Sequence, residues 1–161
     1  MLDSVATLHL MCGLPGAGKT TQARTLELRH RAVRLTPDEW ITAALGPNPS
    51  NGALDAARDP TEALQWELAA RLLELGIDVI LDFGFWSREE RETYRARATA
   101  LGAGSTVHFI DAAPEVLRER LARRHADRPA NTYIVSDAQL TEWSALFQRP
   151  TAEELIPRAP R

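Results

Sequence analysis

Residues 7–21 read TLHLMCGLPGAGKTT, a short apolar run that ends in a glycine-rich turn. Gly13 and Gly18 are followed by Lys19 and Thr20 with the spacing Gly-x-x-x-x-Gly-Lys-Thr, which is typical of a loop that binds phosphate groups. The chain contains 19 basic residues, and Lys19 is its only lysine. The apolar run predicts a buried strand, and the residues after Gly18 predict a helix. A strand that leads through such a loop to a helix N-terminus surrounds an anion with free backbone N–H groups and a positive dipole end.

The bulk composition is that of one ordinary globular domain. The chain has 161 residues, of which 44% are hydrophobic and 25% charged, so we expect a single domain over residues 1–161. The net charge of −3 disfavours a dedicated nucleic-acid binder, which usually carries a basic surface. The N-terminus has neither a signal-peptide pattern nor an apolar stretch long enough for a membrane span, and Cys12 is the only cysteine. We therefore expect a cytoplasmic protein with no membrane partner and no disulfide.

Strand-like and helix-like segments alternate along the chain. Short apolar runs predict strands at 7–12, 32–35, 78–83 and 106–110. Helical periodicity and capping residues predict helices at about 19–29, 37–45, 60–75, 87–102, 114–124 and 136–147. Ser87 with Glu90 and Ser136 with Gln139 are the predicted caps of the helices at 87–102 and 136–147. The turn-rich stretch 46–60 predicts a variable surface loop on the acceptor side, with a short helical turn inside it as the alternative. The alternation predicts an α/β fold: a three-layer P-loop NTPase domain with a parallel sheet of four to five strands, helices on both faces and a small arginine-bearing lid.

Two of these helices carry detailed patterns. Thr36, Pro37 and Glu39 have the spacing of a capping box at the start of the helix at 37–45. In the helix at 60–75, leucines recur on one face, as in an amphipathic helix. They are Leu64, Leu68, Leu72 and Leu75.

The phosphate loop is the first part of the predicted site. Its glycines let the backbone approach a phosphate closely, while Lys19 is expected to bridge the β- and γ-phosphates and Thr20 to bind Mg²⁺. The residues of this loop that we expect to bind ATP are Gly13, Gly16, Ala17, Gly18, Lys19, Thr20 and Thr21. A Rossmann dinucleotide site is excluded, because no glycine lies three residues after Gly18. The Asn-Lys-x-Asp motif of GTP-binding switches is also absent, since Lys19 follows a glycine.

Two aspartates complete the predicted chemistry. Asp38 follows the second strand on the same rim of the sheet as the loop, and we interpret it as the general base that takes the proton of an acceptor hydroxyl. Its alternative role is to favour the start of the helix through the dipole. Asp82 ends the third strand after three consecutive apolar residues, where an acid holds Mg²⁺ or orients the acceptor. Trp86 is a candidate wall of the acceptor pocket, and core packing explains it equally well.

Arginines are concentrated near the end of the fifth helix. Arg120 and Arg124 share a helix face at i, i+4 spacing, and the segment RRHADRPANT follows. We interpret residues 120–132 as a lid whose Arg120 and Arg124 bind the phosphates of ATP and act in catalysis. The alternative is a solvated helix face, which is the usual role of a charge run.

The histidines and the cysteine give no sign of a metal site in the sequence. His9 and His108 lie in apolar strand runs, so we interpret them as core or strand-edge residues. No spacing of His, Cys and Asp indicates zinc, and Cys12 is interpreted as a buried thiol.

Four stretches together resemble a known family: GLPGAGKTT, RLTPDEW, VILDFGFWSREER and FIDAAPEVLRERLARR. They are similar to the small P-loop kinases, AAA-type ATP-binding proteins that include polynucleotide 5′-hydroxyl kinase, chloramphenicol phosphotransferase and the zeta toxins. The resemblance implies an ATP- and Mg²⁺-dependent kinase in which Asp38 is the base and Arg91 lies near the acceptor. It also assigns Lys19 and Thr20 to the phosphate loop, Asp82 to the end of the third strand, and Arg120 and Arg124 to the lid.

The chain departs from this family at two places. In polynucleotide kinases an arginine three residues after the base touches the acceptor's phosphate, and here that position is Ile41. This favours an acceptor without its own phosphate, although Arg58 or Arg91 could substitute. Relatives usually add another strand after the segment that corresponds to FQRPTAEEL, and here only the short stretch IPRAPR follows it, so we expect four or five strands.

These patterns predict a kinase that transfers the γ-phosphoryl group of ATP to a hydroxyl of a small molecule, such as a metabolite or an antibiotic. A nucleic-acid 5′-hydroxyl kinase is the alternative within enzymes. An ATP-binding regulatory module with little transfer activity is the alternative from another class.

Overall fold

The computed structural model describes residues 5–46, 50–127 and 134–160. Within them lie four strands and six helices, and each strand is followed by one or two helices. The strands are β1 (Thr7–Cys12), β2 (Val33–Leu35), β3 (Val79–Gly84) and β4 (Gly104–Phe109). The helices are α1 (Lys19–His30), α2 (Pro37–Leu45), α3 (Asn51–Glu74), α4 (Arg88–Ala100), α5 (Pro114–Asp127) and α6 (Asp137–Leu146). None of these helices combines the length and the apolar character that a membrane span needs.

All four strands run parallel, in the order β2-β3-β1-β4. The loops that follow them therefore meet at one edge of the sheet, where ligands bind in open α/β sheets. Over residues 134–160, the C-terminal segment forms no fifth strand and instead adds one antiparallel bridge beside β4. Ser105 and Arg158 exchange backbone N–H to C=O bonds of 2.9 and 2.8 Å there. The predicted α/β fold is confirmed, with four strands.

Helices cover both faces of the sheet and produce the three layers. On one face, Leu10 of β1 lies in the same buried cluster as Leu73 of α3 and Ala98 of α4. On the other face, Met11 of β1 packs with Leu26 of α1. A third apolar cluster joins α5 and α6 to the loop after β1. The strand alternation, with successive side chains on opposite faces, explains why neighbouring residues of β1 belong to different clusters.

The segment 46–60 differs from the predicted loop. Ser50 accepts a 3.2 Å hydrogen bond from the Ala53 N–H, and this cap starts α3 at Asn51. The helix continues through Pro60 and packs against α2 and β3. The loop prediction is therefore wrong for residues 51–60, because tertiary packing outweighs the helix-interrupting tendency of one proline. Residues 47–49 lie outside the described residues.

The face of α3 that packs on the sheet is also not the predicted one. Gln65, Ala69 and Leu73 are buried, at i, i+4 and i+8 spacing. Most of the leucine stripe lies beside this face, and three of its members are exposed: Leu64, Leu68 and Leu75. The small Ala69 side chain lets the helix approach the sheet, which a leucine at that position would prevent.

Three predicted helix caps have different outcomes. The Ser87 and Ser136 hydroxyls accept hydrogen bonds from the Glu90 and Gln139 N–H groups, as predicted. The Thr36 side chain does not cap α2. It accepts a hydrogen bond from the Arg34 guanidinium instead, so the capping-box prediction at this position is wrong.

Candidate functional site

The loop between β1 and α1 needs glycine at two positions. A Cβ atom at Gly13 would lie 2.5 Å from the carbonyl oxygen of Ile110, so a side chain cannot fit there. Gly18 has a φ of +104°, which side chains strongly disfavour. The Gly13 N–H also donates a 3.0 Å hydrogen bond to the carbonyl of Gly84 at the end of β3. These features fix a tight turn at the N-terminus of α1, where backbone N–H groups favour an anion.

Lys19 folds back over this loop. Its Nζ donates a 2.9 Å hydrogen bond to the carbonyl of Leu14. Burial lowers the pKa of Lys19, whereas the negative charges of Asp82 and Asp38 act to raise it. Lys19 thus lies at the phosphate loop and faces the same cavity as Asp38, the predicted base, and Asp82, the predicted metal ligand.

Thr20 and Asp82 are hydrogen-bonded partners. The Thr20 Oγ1 donates to the Asp82 Oδ2 over 2.7 Å, which joins the start of α1 to β3. Burial raises the pKa of Asp82, while the Thr20 hydrogen bond and the charge of Lys19 act to lower it. A hydroxyl and a carboxylate oxygen at this distance are hard donors, the type that Mg²⁺ prefers. The pair fits the predicted metal site.

Asp38 lies in the first turn of α2 and is paired with a residue of α3. Its Oδ1 accepts a 2.7 Å hydrogen bond from Arg58 Nη2, and Arg58 Nη1 lies 3.5 Å from Glu62 Oε1. The Asp38 side chain is 51% exposed, so its carboxylate can be reached from the cavity in front of it. Arg58 therefore holds one oxygen of the predicted base and leaves the group open to a substrate.

One cavity of about 640 Å³ joins these groups, a volume within the usual range for small-molecule sites. It lies at the carboxyl edge of the sheet. The predicted residues that line it are Gly16, Gly18, Lys19, Thr20, Thr21, Asp38, Asp82, Trp86, Arg120 and Arg124. Gly13 and Ala17 belong to the same loop but do not face this cavity among the described residues. The Trp86 ring lies 5.4 Å from the ring of Trp143, which closes one side.

The two arginines predicted to belong to the lid face the phosphate loop from α5. Arg120 Nη1 donates to the carbonyl oxygens of Gly16 and Ala17 over 3.2 and 3.0 Å. Arg124 lines the cavity one helical turn further on. The predicted lid, residues 120–132, is described only as far as residue 127, where α5 ends. The remainder of it lies outside the described residues.

Arg91 does not reach the cavity, which corrects its assignment as an acceptor-binding residue. Its side chain is fully buried, and Nε lies 2.7 Å from Glu154 Oε1. Its Nη1 also donates to the carbonyl oxygens of Phe85 and Trp86 over 3.0 and 3.3 Å. Phe85 has a φ of +46°, which is strained for a phenylalanine. Arg91 thus holds the turn that carries Trp86, and its effect on the cavity is indirect.

Sequence reasoning missed an acidic wall on the side of the cavity formed by α3 and the start of α4. Its carboxylates, besides Asp38, are those of Asp55, Asp59, Glu62 and Glu90. Burial raises the pKa of Glu62 to about 7 and also raises that of Glu90. Asp55, Arg58, Asp59 and Glu62 follow helical spacing, which is the signal that could have found them. Because residues 46–60 were predicted to form a loop, this helical spacing was not recognised.

Comparison with solved structures shows what the fold resembles. A protein of Chloroflexus aurantiacus provisionally described as a kinase has a TM-score of 0.75 and 22% identity, over 91% of this chain and 82% of that one. A chain of the Pnkp1/Rnl/Hen1 RNA repair complex also has a TM-score of 0.75, with 19% identity over 98% of this chain and 49% of that one. A gluconokinase from Sinorhizobium meliloti has a TM-score of 0.59 and 16% identity, over 94% of this chain and 79% of that one.

The sequence itself matches a family model. A search of curated proteins gives no match. The model described as an AAA domain matches residues 8–150, which include every described element of the site. The protein therefore belongs to this AAA domain family and has the fold of the P-loop kinases.

Proposed function

We propose that the protein is an ATP-dependent kinase that transfers the γ-phosphoryl group to a hydroxyl of a small molecule that carries no phosphate. The observation that carries this proposal is the position of Asp38, which opens onto the same cavity as Lys19 and the Thr20–Asp82 pair. A nucleotide site alone does not need a partly exposed carboxylate facing it. A transferase needs one to accept a proton.

Nucleotide binding would exchange local hydrogen bonds for bonds to phosphate. Lys19 Nζ is bonded to the carbonyl of Leu14, and Arg120 to two carbonyls of the same loop. Phosphate oxygens are stronger acceptors than these carbonyls because they carry charge. Kti12 of Chaetomium thermophilum, a structure with 20% identity and a TM-score of 0.66, was solved in complex with ADP-AlF3. This likeness supports the proposal that the loop binds a nucleotide.

Thr20 and Asp82 are the residues that would hold Mg²⁺. When bound, this ion neutralises negative charge on the β- and γ-phosphates. Thr20 offers its hydroxyl directly, and Asp82 offers a carboxylate at hydrogen-bond distance from that hydroxyl. Both come from rigid elements, the first turn of α1 and the end of β3.

Phosphoryl transfer requires an acceptor for the hydroxyl proton and a leaving group for the γ-phosphorus. Asp38 accepts the proton of the acceptor hydroxyl while the acceptor oxygen forms a bond to the γ-phosphorus. The bond between the γ-phosphorus and the β,γ-bridging oxygen breaks, and ADP leaves. Lys19, Arg120 and Arg124 stabilise the charge that is spread over the transferring phosphoryl group.

The acidic wall favours an acceptor that lacks phosphate. Five carboxylates, counting Asp38, line the cavity from α2, α3 and α4, and Arg58 is the only basic residue of these helices among the described lining residues. Asp38 and Glu62 already lie against that guanidinium. A phosphate placed here would be repelled, whereas a neutral or amine-bearing alcohol would not.

A nucleic-acid 5′-hydroxyl kinase is the second candidate. The observation that favours it is the likeness to a chain of the RNA repair complex over 98% of this chain. The acidic wall opposes it, because an oligonucleotide brings phosphates to whatever lies beside its 5′ end.

The test is phosphoryl transfer from γ-labelled ATP with Mg²⁺ to a panel of acceptors. The panel contains neutral sugars, hydroxylated antibiotics, amine-bearing alcohols, nucleosides and 5′-hydroxyl oligonucleotides. We expect transfer to one phosphate-free class, with little dependence on salt. Labelling of oligonucleotides in preference to all of these, with a steep loss at higher salt, would support the second candidate instead.

A third outcome would contradict both candidates. If ATP binds but no acceptor of the panel is labelled, a regulatory module that binds ATP becomes the better interpretation. Partner binding would then depend on whether ATP or ADP is present.

A further inference from the structure

A second cluster of chemical groups lies far from the cavity. His30 is the last residue of α1, whereas the phosphate loop meets the first residue of that helix. A rise of about 1.5 Å per residue separates the two ends by roughly 17 Å. Beside His30 lie His9 of β1 and Asp78, the residue before β3. This histidine cluster is not used by the proposed kinase, and the following argument is independent of that function.

Three potential ligand atoms converge in the histidine cluster. His9 Nε2 lies 3.6 Å from Asp78 Oδ2, and His30 Nδ1 lies 4.0 Å from the same oxygen. All three atoms are within 4.8 Å of one another. Ligands bound at about 2.0–2.1 Å around a tetrahedral ion are about 3.4 Å apart. Small side-chain rotations would therefore bring the three atoms to bonding distance from one ion.

His9 supplies an independent reason to expect a ligand. The residue is 4% exposed, and its Nε2 has no hydrogen-bond partner among the described residues. A buried polar atom without a partner costs free energy, and most such atoms in native structures are satisfied. Nε2 points to the space between His30 and Asp78, where a cation would satisfy it.

The remaining atoms of the cluster are already oriented for this role. His9 Nδ1 lies 2.9 Å from His108 Nε2, so a proton on Nδ1 can be donated to His108 and leave the Nε2 lone pair free. The Thr7 N–H donates to Asp78 Oδ1 over 2.8 Å, which leaves Oδ2 to face the histidines. Outer hydrogen bonds of this kind fix the tautomer and orientation of metal ligands.

We infer that His9, His30 and Asp78 form a binding site for one divalent transition-metal ion of the Zn²⁺ type. Two imidazoles and one carboxylate suit Zn²⁺, Co²⁺ or Ni²⁺, whereas Mg²⁺ prefers oxygen ligands alone. The His30 and Asp78 side chains are 35% and 22% exposed, which gives the ion a route from solvent. The negative dipole end of α1 also favours a cation beside His30.

The inferred role of the ion is structural. It would cross-link the C-terminal end of α1 to β1 and to the start of β3, three segments that are distant in sequence. A ligand that binds the folded state and not the unfolded one raises the free energy of unfolding. Zn²⁺ should therefore stabilise the fold, including the strand and helix that flank the phosphate loop.

The test is calorimetric titration of untagged, chelator-treated protein with ZnSO₄ in the presence of millimolar Mg²⁺, which competes at the oxygen ligands Thr20 and Asp82. We expect one equivalent to bind and the midpoint of thermal unfolding to rise. His30→Gln and Asp78→Asn should each weaken binding about 10- to 100-fold or more. Asparagine keeps the Oδ1 acceptor for Thr7, and His30 is partly exposed, so both variants should fold without the metal.

His125→Gln is the matched control, because His125 lies on α5 and bonds to the Val135 N–H rather than to the cluster. Its affinity for Zn²⁺ should equal that of the parent protein. The inference is overturned if Zn²⁺ shows no saturable binding, if His30→Gln binds as well as the parent, or if His125→Gln loses affinity to the same extent. A Co²⁺ adduct should also show visible absorption bands that His30→Gln removes.

Discussion

Two helices of this protein carry arginines four residues apart, and the two pairs have opposite surroundings. Arg91 and Arg95 of α4 are buried. Arg120 and Arg124 of α5 are exposed and line the cavity. The i, i+4 spacing places each pair on one helix face, but it does not say what covers that face.

The partners of the α4 pair explain the difference. Arg91 pairs with the Glu154 carboxylate, and Arg95 donates to the carbonyl oxygens of Glu154 and Ile156 over 2.7 and 2.8 Å. Burial acts to raise the pKa of Glu154, but hydrogen bonds from Arg91 and the Thr151 N–H hold it below its usual value. The α4 pair thus attaches the C-terminal segment to the domain, whereas the α5 pair faces the cavity that we propose as the nucleotide site.

The largest expected effect is on the stability of an Arg91 variant. Arg91→Leu leaves the Glu154 carboxylate buried without its partner, so the free energy of unfolding should fall by about 3–5 kcal/mol. Urea denaturation followed by circular dichroism measures it. Arg91→Leu combined with Glu154→Leu removes both charges and should regain part of the loss. A single variant as stable as the parent would contradict the structural role of Arg91.

The α5 pair should behave in the opposite way. Arg124→Ala removes a positive charge beside the phosphates, so we expect kcat to fall about 10²–10³-fold, or about 3–4 kcal/mol of transition-state stabilisation. The free energy of unfolding should change by less than about 0.5 kcal/mol, because the side chain is exposed. Steady-state kinetics and urea denaturation measure the two quantities.

Arg118→Ala is the control for this experiment, since Arg118 is exposed on the same helix and does not line the cavity. It should leave kcat unchanged. Equal losses of activity in Arg118→Ala and Arg124→Ala would mean that α5 contributes only its overall charge.

Arg58 of α3 is half-buried, so its exposure is intermediate between those of the two arginine pairs. Its neighbour Glu62 should have a smaller, pH-dependent effect on the free energy of unfolding. Burial raises the pKa of Glu62 to about 7 in the folded protein, so the folded state binds more protons than the unfolded state between about pH 4.5 and 7. Stability is therefore lost as the pH rises through this range. Glu62→Gln should remove this loss and be more stable than the parent at pH 8, by on the order of 2 kcal/mol.

Unfolding free energies measured at pH 4.5 and pH 8 test this effect. Glu67→Gln, an exposed glutamate of the same helix, should show no such gain at pH 8. If Glu62→Gln gains no more than Glu67→Gln, the carboxylate is ionised in the folded protein and Arg58 compensates for its burial.

The phosphate loop and the strands could be predicted because their signals are local. The loop from Gly13 to Thr20 is one continuous motif, and β3 is one apolar run that ends beside Asp82. The start of α3 was missed because Pro60 and the turn residues before it suggested a break. Its buried face was missed because the helix packs on the sheet through Gln65, Ala69 and Leu73 rather than through the predicted leucine stripe.

Features assembled from distant segments could not be predicted at all. Arg91 and Glu154 are 63 residues apart, and only the path of the C-terminal segment brings them together. The histidine cluster joins the end of α1 to β1 and to the residue before β3, so it has no ligand spacing that a sequence motif could show. The pairing of Arg58 with Asp38 likewise depends on how α3 packs against α2.

The central claim is that Asp38 takes the proton of the acceptor, and Asp38→Asn tests it most directly. Asparagine keeps the size of the side chain and an oxygen that can face Arg58, but it cannot act as the base. Transfer to the best acceptor of the panel should fall about 10²–10⁴-fold, while the Kd for ATP, measured by calorimetry, stays that of the parent protein. Transfer at the parent rate with unchanged ATP binding would contradict the role of Asp38.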